Sequence, residues 1–293
     1  MKTKQLLYVV LACTLLATAA FAADQLTIKC SDVKSVKGAL ETDSYAVNNT
    51  TVIAGDYVDS AGIQHGMLLK GKVVTSFDGP GGSTSIAAYG INSKNVAVGW
   101  YLNSAGIANG FMYSGGTLTS VAYPKAAATE ANGINDNGWI VGQFVDTAGV
   151  THGFYWDTKK YHQVDVSGAL LTAVWAINNA NLMTVQGINS SSLYDGYTYD
   201  GTTFTLVDVP GATQSAIHGI NNKGDINYTI FDSSSNRHGV LYQAKTKIFT
   251  TFDDPKGVNS TRADGINDKD LMDGRYSPTS GNPPNAGFKC TVH

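Results

Sequence analysis

Residues 132–165 read NGINDNGWIVGQFVDTAGVTHGFYWDTKKYHQVD. The order is a short apolar run, a Gly/Asn turn, a longer apolar run and an Asp/Gly loop. A His-Gly-Phe run, a charged turn and a last short run follow. Each run has strand length and each break carries turn chemistry, so the stretch predicts one four-stranded antiparallel sheet. A sheet completed in about 43 residues is the period of a repeat architecture.

The copies are counted by the Asn that opens the first turn. It stands at Asn48, Asn92, Asn135, Asn178, Asn221 and Asn267, in steps of 44, 43, 43, 43 and 46 residues. Three residues later come Thr51, Asn95, Gly138, Asn181, Gly224 and Asp270. All but Thr51 are types that tolerate the left-handed backbone a tight hairpin needs. A second column is glycine in every copy: Gly66, Gly110, Gly153, Gly196, Gly239 and Gly287. Glycine inside a strand marks a close approach, here read as the place where adjacent sheets stack.

The chain opens with an export signal over residues 1–22: Lys2 and Lys4, an apolar run, and Ala20-Phe21-Ala22 as cleavage site. That run is short for a membrane span and nothing later is longer. The net charge is −3, more negative without the two leader lysines, and there are only three arginines. With no basic cluster, nucleic-acid and anionic-membrane partners are not expected. Cys13 leaves with the leader, and the pair Cys30 and Cys290 predicts a disulfide in an exported protein. The expected location is extracellular or periplasmic.

Residues 23–293 read as one domain, because the repeat is unbroken and amphipathic helical patterns are missing. Its repeats lie near 44–87, 88–130, 131–173, 174–216, 217–262 and 263–293. The last copy stops after its third strand, while residues 25–33 (QLTIKCSDV) form an orphan strand before the first. Pairing that strand with the last sheet closes a six-bladed β-propeller and leaves no unpaired seam. Cys30 and Cys290 then fall on neighbouring strands.

Gly133-Ile134-Asn135-Asp136-Asn137-Gly138, Ile140-Val141-Gly142, His152-Gly153-Phe154 and Val207-Asp208-Val209-Pro210-Gly211-Ala212 resemble the HAF family of bacterial extracellular repeat proteins. The resemblance runs from about Ser44 to the C-terminus and departs at Val185, where the Gly of Ile-Val-Gly is replaced. It implies an exported, propeller-like repeat protein, with no catalytic residue to carry over.

His65, His152 and His238 precede the glycine column in alternate copies. At the start of a third strand each would lie roughly 17 Å from the ring axis and about 30 Å from the next. They cannot share an ion, so a hydrogen-bonding role is expected and no metal or cofactor. Asn135-Asp136-Asn137-Gly138 and Asn267-Asp268-Lys269-Asp270 lack the closing Glu of a calcium loop and read as turns. No GxSxG, GxGxxG or P-loop occurs.

One column varies where the scaffold does not. Three residues before each turn-opening Asn stand Tyr45, Tyr89, Asn132, Trp175, His218 and Asp264. Strand alternation puts the residue two earlier on the same face, which adds Asp43, Glu130 and Arg262. Together they are expected to ring the mouth of the central channel, with Arg262 held between Asp43 and Asp264. Aromatic faces beside hydrogen-bonding groups suit sugar rings, so the expected function is a monomeric, non-enzymatic module binding a polysaccharide or glycan. Two alternatives stand: a glycoside hydrolase or polysaccharide lyase, with Glu130 or Asp264 as carboxylate and His218 or Tyr89 moving a proton, and a structural envelope protein with an empty channel.

Overall fold

The computed structural model describes residues 26–33, 36–257, 259–278 and 285–293; the expected leader lies outside them. The described residues hold twenty-four strands and no helix, and so no helix long and apolar enough to cross a membrane.

The third repeat shows the plan. Ala128–Ile134, Ile140–Val145, Thr151–Trp156 and Tyr161–Val164 pair antiparallel in sequence order. The second, fourth and fifth repeats form separate sheets of the same kind. The first repeat (Glu41–Val47 onward) and the last are joined into one eight-stranded sheet by a single parallel bridge, Thr42 to Ala286. Strand Ile28–Asp32 pairs antiparallel with Ala286–Val292, and Cys30 lies opposite Cys290 in a disulfide. The orphan N-terminal strand thus fills the place of the missing fourth strand.

The first strand of each repeat faces the axis. All six residues of the turn column have positive φ, between 60° and 85°. Thr51 is among them, at 63°, although a β-branched residue is a poor occupant of that region. The turn geometry overrides the side-chain preference because the opening Asn clamps it: Asn48 Oδ1 accepts from the backbone N–H of Thr50 and Val52 at 3.0 and 2.9 Å, as Asn135 Oδ1 does from Asn137 and Trp139 at 3.1 and 3.0 Å. The same side chain reaches the next repeat, where Asn135 Nδ2 donates to the carbonyl of Asn178 at 3.0 Å. Asn48, Asn92, Asn178 and Asn221 donate onward in the same way. Asn267 donates to the carbonyl of Asn48 at 2.9 Å, so the sequence of bonds returns to its start.

The core lies between adjacent sheets, where large side chains such as Phe111, Phe154, Tyr228 and Phe288 are almost fully buried. The glycine column has two uses rather than one. A Cβ at Gly196 or Gly287 would press on the inner strand of the next repeat, and one at Gly153 on that strand and on the Val164 carbonyl of its own sheet, whereas at Gly110 it would strike the Val121 carbonyl of its own outer strand. At Gly66 and Gly239 it would strike the ring of Phe77 or Phe252 from the outer strand of its own sheet.

Candidate binding site

Every inner strand carries a register shift at the variable column. The ladder breaks between Ser44 and Ala46, Ala88 and Gly90, Ala131 and Gly133, and Val174 and Ala176. In the last two repeats the break spans His218-Gly219 and Asp264-Gly265. A bulge takes one residue out of the ladder and re-aims its side chain. Tyr45, Tyr89, Asn132, Trp175, His218 and Asp264 accordingly line a central cavity of about 100 Å³. Beneath them Val47, Ile91, Ile134, Ile177, Ile220 and Ile266 narrow the axis, and the Asn turns line a polar opening at the other end.

The same bulges break the alternation that placed Asp43, Glu130 and Arg262 in this ring. None of the three lines the central cavity. Glu130 accepts from Gln143 Nε2 at 2.8 Å, and burial pushes its pKa up against that bond. Asp43 is 6% exposed and lies 3.6 Å from Arg275 Nη1. Arg262 donates from Nε to Asp264 at 3.2 Å, but its expected second carboxylate is engaged by Arg275 instead.

Arg275 is the residue the sequence reading missed. It sits opposite Arg262 on the second strand of the last repeat, 3.8 Å from Asp264 and with its guanidinium 4.4 Å from the Tyr45 ring centroid. Burial opposes its charge, but Tyr45, Asp264 and Asp43 outweigh burial and raise its pKa. A signal was present: the matching second-strand positions are Asp56, Trp100, Gln143, Gln186 and Thr229, as varied as the inner column.

The aromatic faces are unequally available. Tyr45 stacks on Tyr89 at 4.3 Å and Tyr89 on Trp100 at 5.7 Å, so this row spends its faces on itself. Trp175 meets His218 edge-on at 5.5 Å and keeps partial exposure. Several buried polar atoms of the ring have no hydrogen-bond partner: Asn132 Oδ1, Trp175 Nε1, His218 Nε2 and Asp264 Oδ2, the last facing Arg275 Nε across 3.8 Å. Burial, then Arg262 and Arg275, push the His218 pKa well down, so its imidazole is neutral. Such orphan atoms are rare in a settled core and mark a place where water or a ligand completes the bonding.

The three histidines before the glycine column lie apart from this site. Each bridges two carboxylates of its own repeat: His65 with Asp78 and Asp59, His152 with Asp165 and Asp146, His238 with Asp253 and Asp232.

No family model matches the chain, and no curated protein matches its sequence. Solved structures do. A lectin of Aleuria aurantia, in complex with Fucα1-6GlcNAc, is similar at TM-score 0.53 and 10% identity, over 88% of this chain and 95% of that one. The SapL1 lectin, in complex with α-methyl fucoside, is similar at TM-score 0.54 and 9% identity, over 82% and 89%. A sialidase of Trypanosoma rangeli is similar at 0.52 and 10% identity, over 89% of this chain but 56% of that one. The likeness is one of fold. This chain shares an all-β, propeller-like arrangement of four-stranded antiparallel sheets with carbohydrate-binding lectins.

Proposed function

We propose that this chain is a six-bladed β-propeller of the HAF repeat kind, exported, and that it binds a glycan at the mouth of its central channel without catalysing a reaction. The observation that carries the reading is the bulge ring. Six bulges turn six side chains of five chemical kinds onto one axis, and four of them bring buried polar atoms without hydrogen-bond partners. A scaffold needing only packing would fill those positions with apolar residues, since each unpaired buried group costs about 1–3 kcal/mol. Three further features support it: the hydrogen-bond cycle that returns from Asn267 to Asn48, the disulfide-tied strand, and sugars bound in two lectins of similar fold.

The sialidase likeness lends the hydrolase reading its interest. Here, however, Asp264 is flanked by two guanidinium groups and Glu130 lies off the cavity, bound to Gln143. Neither is placed as a free acid facing a bond to be cut, which favours binding.

The test is a glycan array carrying neutral, fucosylated and acidic oligosaccharides, probed with the parent protein and Trp175→Ala. The parent should retain a defined set of glycans. Loss of an aromatic anchor from a desolvated site costs about 2 kcal/mol or more, roughly thirtyfold, so the variant should retain none. Equal retention by both proteins, or no retention by the parent, refutes the reading.

A further inference from the structure

Beside the central cavity, between the fourth, fifth and last repeats, lies a second cavity of about 150 Å³. Trp175 and the Tyr194–Phe231 pair, whose rings stack at 6.3 Å between centroids, give it apolar surface, and Arg237 and Arg262 give it charge; none of its lining residues is acidic. In a chain of net charge −3 with three arginines, two of them at one cavity need an explanation.

The two arginines are differently held. Arg262 is fixed through Nε to Asp264 at 3.2 Å, which leaves both terminal nitrogens without a protein acceptor among the described residues. Arg237 has its guanidinium 5.6 Å from the Phe231 ring centroid. Among the described residues Arg237 makes no ion pair, and burial, then Arg262 and Arg275, push its pKa down. Its backbone N–H donates to the carbonyl of Asn259 at 3.1 Å, and it bridges Ser260, so the start of its strand is pinned beside the segment leading into Arg262. Two like charges thus line one cavity.

Polar side chains with atoms lacking a hydrogen bond line the same cavity, two of them shared with the central one. Thr229 Oγ1 and His218 Nε2 belong to side chains that are 1% and 5% exposed, line this cavity, and have no hydrogen bond. Trp175 Nε1 is a third such atom. The planar fork of a guanidinium matches a carboxylate in two parallel hydrogen bonds, and the aromatic planes match the face of a sugar ring.

Resting on the glycan-binding reading above, we infer that this cavity takes an acidic sugar residue, its carboxylate between Arg237 and Arg262 and its ring against Trp175, Tyr194 and Phe231. The ligand class is then a carboxylated polysaccharide, uronate or sialate in type, rather than a neutral one.

The experiment is calorimetric titration with trigalacturonate, its methyl ester, sialyllactose and lactose at low salt, using the parent, Arg237→Ala and Arg237→Lys. Arg237 is exposed, so these variants should unfold at the parent's temperature, which is checked first. At least one acid should bind ten times or more tighter than its neutral counterpart, the fold-change that a charge-assisted bond supplies. The preference should shrink with added salt. Arg237→Ala should erase it, and Arg237→Lys should keep only part of it, having the charge without the fork. Which acid binds decides between uronate and sialate. Equal affinity for acid and neutral forms overturns the inference but leaves glycan binding standing, as does a preference that survives in Arg237→Ala. A heparin tetrasaccharide that binds where both carboxylates fail overturns the carboxylate assignment. Binding of none of these sugars, with an empty glycan array, overturns both readings.

Discussion

Asn135→Ala tests how the repeats are held to one another. The parent side chain is 3% exposed and makes four hydrogen bonds. Two close its own turn, from the N–H groups of Asn137 and Trp139; two cross to the next repeat, at Asn178 O and Asn181 Oδ1. Asn137 is exposed, so water replaces its bond at little cost. At about 1 kcal/mol for each of the other three, the substitution should cost about 2–3 kcal/mol. Asn135→Asp separates the two sets. It keeps the acceptor that closes the turn but loses the donor, and it turns a buried carboxylate toward a carbonyl and an amide oxygen. If the bonds between repeats matter, Asp should be at least as destabilising as Ala. The assay is equilibrium urea unfolding with an unchanged denaturant slope. A loss under about 0.5 kcal/mol for Ala, against the 1 kcal/mol expected per bond, or an Asp variant as stable as the parent, refutes the reasoning.

Replacing Cys30 and Cys290 together with Ser opens a covalent loop with a sequence separation of 260; chain entropy predicts a loss of up to about 5 kcal/mol, and an unchanged urea midpoint would contradict it. Arg275→Met leaves Asp43 and Asp264 buried without their shared cation and should cost about 3–5 kcal/mol. Arg262→Met should cost less, because Arg262 is more exposed and bonds through one nitrogen; the reverse order in thermal unfolding would contradict the assignment. Burial raises the carboxyls of Asp56 and Asp273 to about 7, the first pushed further by Asp43 and opposed by Gln64, the second opposed by Ser44. A raised folded-state pKa means stability is full below the unfolded value and is lost as pH rises through 7. His65, His152 and His238 act in the same direction, since their carboxylate partners outweigh burial and raise them; neutral His218 opposes. The unfolding midpoint should therefore be higher at pH 6 than at pH 8, by about 1 kcal/mol for Asp273 alone, and Asp273→Asn should remove that share. A midpoint that rises with pH over this interval would contradict the sign.

The sequence alone determined the repeat, its four-stranded sheets and the joining of its ends. These follow from local chemistry that recurs: Asn135 opens a turn whose last residue must be left-handed, and an orphan strand holding Cys30 has one partner lacking a strand, the sheet holding Cys290. The column from Tyr45 to Asp264 was legible too, because its residues vary beside neighbours that do not. What lay in that column's company was not. Alternation assigned Asp43, Glu130 and Arg262 to the same face, but a bulge at the column itself shifts the register by one, and a strand's sequence does not mark where its ladder breaks. Only the packed structure showed Arg275 crossing from the second strand to Asp43 and Asp264, and Tyr89 spending its face on Tyr45. Only it brought Arg237 beside Arg262, from adjacent sheets, at one cavity. A periodic sequence specifies each sheet through short-range rules, whereas a site built between sheets depends on side chains about 43 residues apart, whose meeting is set by how the sheets pack.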